Sequence, residues 1–185
     1  MKKILCLVLC MVFVFSLAAC SEESEEKGSH SVDVEYYANL GQINGVAYKL
    51  GDSVQETKTA LEETVDDHGE SNYFDYLSGE YTIMSDGAIY CCYKTEDESA
   101  GLTHVITTGD AYGFTAGAVS VEVRDIMSSI GFDAKERDAK RSEIFFLPAG
   151  AQMTVLEYKI QNNTLLFVFQ EHYLAATVIT KITKP

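Results

Sequence analysis

The sequence predicts an α+β domain built as two tandem repeats, each a short helix followed by an antiparallel meander, with the helices packed on one face of the sheet. Three observations predict it. Residues 47–61 (AYKLGDSVQETKTAL) can be laid on residues 113–127 (GFTAGAVSVEVRDIM) at an offset of 66, so that Gly51 meets Gly117, Glu56 meets Glu122 and Lys58 meets Arg124. The match continues in the same order, Tyr93-Lys94 on Tyr158-Lys159 and Val105-Ile106-Thr107 on Val178-Ile179-Thr180, and shared order is how duplications are recognised. Each copy opens on a one-sided apolar stripe at helical spacing and then breaks into short β-rich runs separated by turn residues.

Taken from the N-terminus, residues 1–20 read MKKILCLVLCMVFVFSLAAC. Lys2 and Lys3 give a positive start, an almost unbroken apolar run follows and Ala18-Ala19 are small, the pattern of a signal peptide over residues 1–19. A transmembrane helix needs about 20 apolar residues, and the acidic SEESEE that follows is a poor cytoplasmic stop signal. Leu17-Ala18-Ala19-Cys20 resembles the lipobox of bacterial lipoproteins. The resemblance implies that Cys20 becomes the first residue of the mature chain and carries lipid. It also implies an extracytoplasmic address on the cell membrane, or on the outer membrane if the organism has one. Acyl burial at ~0.8 kcal/mol per CH2 makes one chain a marginal anchor and two a stable one. Residues 20–32 then read as the lipidated Cys and a flexible acidic tether, and residues 33–185 as a domain whose repeats span about 45–109 and 111–182.

In the first copy, Ser53 and Glu56 form a capping box for a helix over 54–65, with Val54, Thr57, Ala60-Leu61 and Val65 as its apolar stripe and Gly69 as a stop. Strands follow at 73–77, 80–84, 88–94 and 102–107, with turns at Ser85-Asp86-Gly87 and over the acidic residues 95–100. In the second copy, Ser120 caps a helix over 121–130 bearing Val123, Ile126-Met127 and Ile130, ended by Gly131. Residues 132–142 read as a polar helical turn, and strands follow at 143–147, 152–160, 165–170 and 174–182, with turns at 148–150 and Asn162-Asn163. This succession of a helix after a glycine-bearing turn and a four-strand meander resembles the repeat of beta-lactamase-inhibitor-protein-like domains and related small outer-membrane-assembly lipoproteins. The resemblance implies two helix-plus-sheet repeats whose curved sheet binds another protein.

Composition narrows the function. A chain of 185 residues with 46% hydrophobic and 23% charged residues is neither disordered nor polytopic. A formal net charge of -14 argues against a nucleic-acid partner, which is bound through clustered Lys and Arg. Loss of residues 1–19 removes Lys2 and Lys3 and no acid, taking the net charge to -16. Cys6 and Cys10 leave with the signal, so only the adjacent Cys91 and Cys92 belong to the domain, and neighbouring cysteines rarely satisfy disulfide geometry.

The search for chemistry is largely negative. His68, His104 and His172 stand in no nucleophile motif, and GxSxG is absent. Asp66-Asp67-His68-Gly69-Glu70 lacks EF-hand spacing and reads as an acidic turn; Glu96-Asp97-Glu98 reads as a solvated hairpin tip. Neither zinc spacing nor a phosphate loop occurs, so no catalytic residue, metal or cofactor is expected. Strand alternation places Ile89, Cys91 and Tyr93 toward the helices and Tyr90, Cys92 and Lys94 outward, with Cys92 the more reactive thiol. The reading that follows is a non-enzymatic lipoprotein that binds an unidentified protein partner through the outward face at Tyr90 and Lys94. Capture of a small ligand is the alternative, and an extracytoplasmic hydrolase a further one.

Overall fold

A computed structural model describes residues 32–66, 68–140, 143 and 152–182. The signal peptide, Cys20 and most of the tether lie outside the described residues. The order of elements is α1 (Val34–Asn39), α2 (Val54–Glu62), β1 (Phe74–Ser78), β2 (Tyr81–Ser85), β3 (Ile89–Lys94), β4 (His104–Thr107), α3 (Ser120–Ser129), β5 (Lys135–Asp138), β6 (Met153–Ile160), β7 (Asn163–Gln170) and β8 (Tyr173–Lys181). A short 3-10 turn at Glu98–Ala100 precedes β4.

All eight strands form one antiparallel sheet in the order β1-β2-β3-β4-β8-β7-β6-β5. This corrects the expected division into two helix-plus-meander repeats: the fold is dominated by one continuous sheet, joined in the middle where Val105 pairs with Ile179, and its three helices are short. The aligned residues occupy equivalent strands only in part: Val105-Ile106-Thr107 and Val178-Ile179-Thr180 both lie on the last strand of their copy, β4 and β8, but the match of Tyr93 with Tyr158 fails. Tyr93 lies on the second-last strand of its meander and Tyr158 on the third-last. The helices differ as well. Ser53 caps α2, its Oγ accepting the Glu56 N–H at 3.3 Å, whereas Ser120 is the first residue of α3, whose N-cap is Val119 with no side-chain cap. Residues 135–138, expected in a polar helical turn, are instead edge strand β5, paired with residues 154–157 of β6. Residues 144–147, expected as a strand, lie outside the described residues, and Glu143 belongs to no strand.

The helices bury Val34, Ala38, Val54, Leu61, Val123 and Met127 against one face of the sheet. There Phe167 is the hub, meeting Tyr112, Phe114 and Tyr158 edge-on with ring centroids 6.3, 5.3 and 5.9 Å away, the favoured arrangement for aromatic quadrupoles. Asn163, expected in a turn, begins β7 and is buried; its Nδ2 donates to the Ala38 carbonyl at 2.8 Å and ties α1 to the sheet. Gly101 brings two loops together. Its φ is +70°, and an added Cβ would lie 2.6 Å from the Gly51 carbonyl oxygen, where Gly51 N–H donates to Leu102 and Leu102 N–H to Asp52.

The second face carries its own buried cluster, centred on Ile83, Cys92, Ile106, Val155, Leu166 and Val178. The face expected to be outward is therefore closed over most of its area. The reason is visible in β7, where Leu165 to Phe169 is an unbroken apolar run, the composition of a strand buried on both sides rather than on one.

Candidate functional site

Burial of both faces leaves the margins of the sheet as its accessible parts. The two edge strands differ sharply. Strand β5 reads Lys-Glu-Arg-Asp, with Arg124 paired to Glu136 and Arg137 held by Glu143 and Glu157, the charged protection that natural edges use against further strands. Strand β1 reads Phe-Asp-Tyr-Leu-Ser, with Phe74 41% and Leu77 70% exposed. Among the described residues no strand pairs with β1 opposite β2.

The register with β2 sorts the β1 side chains. Phe74 and Tyr76 lie opposite Ser85 and Ile83 and share the second face; Asp75 and Leu77 lie opposite Met84 and Thr82 on the helix-bearing side. Phe74 stacks on Tyr76 at 6.1 Å and meets Tyr90 edge-on at 6.3 Å. The three rings form a corner patch where the second face meets the open edge. Tyr90 is set by the β2–β3 turn: Asp86 Oδ1 accepts from the N–H groups of Ala88 and Ile89 at 3.0 and 2.8 Å, Ser85 Oγ from that of Gly87 at 2.9 Å.

Asp75, the sole charge on β1, is occupied from the helix side. Tyr73 Oη donates to its Oδ2 at 3.0 Å, and Lys58 Nζ of α2 lies 3.8 Å from the same oxygen. Burial, then the bond to Asp75, pushes the Tyr73 phenol above its ordinary range, so it remains a donor. Beyond the β1–β2 turn a cleft of about 550 Å³ is lined by Leu77, Glu80, Lys94, Thr95, Glu96 and Asp97. Lys94 Nζ approaches Glu80 at 3.6 Å, with both side chains at least half exposed.

The structure places Tyr90 with Phe74 and Tyr76, and Lys94, at the other end of β3, with Leu77 and Glu80; the sequence reading did not single out Phe74, Tyr76, Leu77 or Glu80. A signal for them was present, because the first strand of a meander is an edge unless another strand covers it. Tyr90 and Lys94 do project to the side opposite Cys91. Tyr90 is nevertheless half-buried against the second-face cluster, and only Lys94 is freely exposed.

The expectation for Cys92 is corrected. Both Cys91 and Cys92 are free thiols with no exposed surface, and burial pushes both well above the ordinary thiol range. Alternation sent them to opposite faces, but both faces are packed.

Asp66 and His104, both in segments weighed for chemistry, make local contacts. Asp66 Oδ1 accepts the N–H groups of His68 and Glu70 at 2.8 and 3.0 Å, an acidic residue closing its own turn; Asp67 lies outside the described residues. His104 Nδ1 is 3.0 Å from Thr103 Oγ1 and its ring meets Tyr81 edge-on at 5.2 Å. Burial pushes the imidazole down to about 4, opposed by the nearby Glu143 carboxylate, so His104 is neutral at physiological pH. Among the described residues no group of three His, Cys, Asp or Glu is placed to hold a metal ion, and no helix is long and apolar enough to cross a membrane. No protein-family model, curated protein or solved structure matches the chain significantly.

Proposed function

We propose that the chain is an extracytoplasmic lipoprotein anchored through Cys20 whose folded part is a non-enzymatic binding module, engaging a protein partner along β1, from the corner formed by Phe74, Tyr76 and Tyr90 to the cleft at its turn end that holds Lys94. The observation that carries the reading is the contrast between the two sheet edges. One is charged at every position and the other exposes Phe74 and Leu77. Aromatic rings that join a broad apolar surface to a polar tip are enriched where proteins meet. The anchor rests on the apolar run ending in Leu17-Ala18-Ala19-Cys20. The net charge of -16 left after loss of residues 1–19 repels anionic headgroups, so lipid rather than the domain supplies membrane attachment.

The reading is tested in two parts. Cys20→Ala releases the protein from membranes into the soluble fraction; a variant that sediments with membranes as firmly as the parent contradicts the anchor. The double variant Phe74→Ala/Tyr90→Ala, isolated from chemically crosslinked native membranes, loses the specific adduct of the parent. Undiminished adduct in that variant removes the proposed surface.

A further inference from the structure

We infer that β1 receives an extended, cationic segment of the partner as an added strand, an inference that rests on the protein-binding reading above and specifies what is bound. In an antiparallel pair, backbone N–H and C=O groups alternate in direction, so an edge strand offers alternate residues to a newcomer. Recognition by strand addition draws affinity from those backbone bonds and specificity from the flanking side chains. Strand β1 supplies such an edge, since Phe74, Asp75 and Leu77 are all exposed. Its one charge, Asp75, is drawn to Lys58 and Tyr73 on the helix-bearing side.

The flanking chemistry selects the newcomer. At the turn end of β1, Leu77 borders the cleft that gathers Glu80, Glu96 and Asp97 around a single cation, Lys94. At the other end, Glu63 and Glu70 are exposed on the segment that leads from α2 into β1. A second copy of this chain would bring the same carboxylates against themselves, on a molecule of net charge -14. An incoming strand that lays an apolar residue on Leu77 and extends a Lys or Arg into the cleft satisfies both the exposed carbon and the excess negative charge.

The test uses the full-length chain in mild detergent with two synthetic peptides, one alternating Lys and Val, the other Glu and Val. Hydrogen exchange at residues 74–78 reports strand addition, and fluorescence anisotropy reports affinity. The Lys-Val peptide protects the β1 amides, loses affinity as salt rises and screens exposed charges, and binds Leu77→Lys about tenfold more weakly because a like charge now stands on the edge. Leu77 is 70% exposed, so this variant keeps its core. Equal binding of the Glu-Val peptide, protection confined to segments other than β1, or β1 protection that grows with protein concentration in the absence of peptide overturns the inference. Loss of the membrane adduct in Phe74→Ala/Tyr90→Ala together with an unprotected β1 overturns strand addition alone and leaves the protein-binding reading standing.

Discussion

Arg137 is clamped between two carboxylates, its Nε on Glu157 at 2.6 Å and its two terminal nitrogens on Glu143 at 2.7 and 2.6 Å. Burial would raise Glu143, but the Arg137 hydrogen bonds and charge outweigh it and hold the carboxyl below its ordinary value. His104 senses the same carboxylate from the second face. Its titration makes a prediction with a definite sign. In the unfolded chain imidazole takes a proton near ~6.5, whereas the folded chain holds it off until about 4. The unfolded state therefore binds more protons between those values. The stability contributed is complete above the unfolded pKa and is lost as pH falls, by about 2 kcal/mol at pH ~5. Urea unfolding of the parent and of His104→Gln at neutral and mildly acidic pH checks this: the slope belongs to the parent, and equal slopes contradict it. The clamp was not legible in the sequence, because Arg137 and Glu157 meet only once β5 pairs with β6.

At the scale of elements, much was legible where local chemistry decides. The turn at Ser85-Asp86-Gly87, the α2 cap at Ser53 and the end of α3 at Gly131 all rest on short-range bonds that residue type announces. What was not legible was partnership. Six-residue α1 carries little periodicity and is secured from outside by Asn163, and β5 is a strand because β6 pairs with it, against a sequence of four charged residues. Turn placement also slipped. The β6–β7 turn is Gln161-Asn162, with Gln161 at φ 52°, and the β7–β8 turn holds Glu171 at φ 58°. Such left-handed residues cost a non-glycine side chain ~1 kcal/mol, offset in part by the entropy glycine loses on folding. Gln161→Gly or Glu171→Gly is therefore expected to raise stability by about 0.5 kcal/mol, read as a higher urea midpoint at unchanged slope. A lower midpoint contradicts the turn assignment.

At the scale of the whole molecule, the sheet explains why the proposed binding surface lies at a margin. A one-sided sheet offers its free face to partners. This sheet is apolar on both, as Cys91 and Cys92 record by being adjacent and equally buried, so the open surface shrinks to the edges and the corner beside them. The expected Tyr90–Lys94 surface was thus legible in direction but not in extent, since alternation gives the side of a residue and says nothing about what covers it. Of the two edges, charge shields β5 and leaves β1. The most direct measurement is site-specific photo-crosslinking in intact cells, with the photoreactive residue placed at Leu77 on β1 or at Lys135 on β5, both exposed. The account predicts a discrete adduct with one partner protein from position 77 and none from position 135. The same adduct from both positions, or from 135 alone, would contradict it.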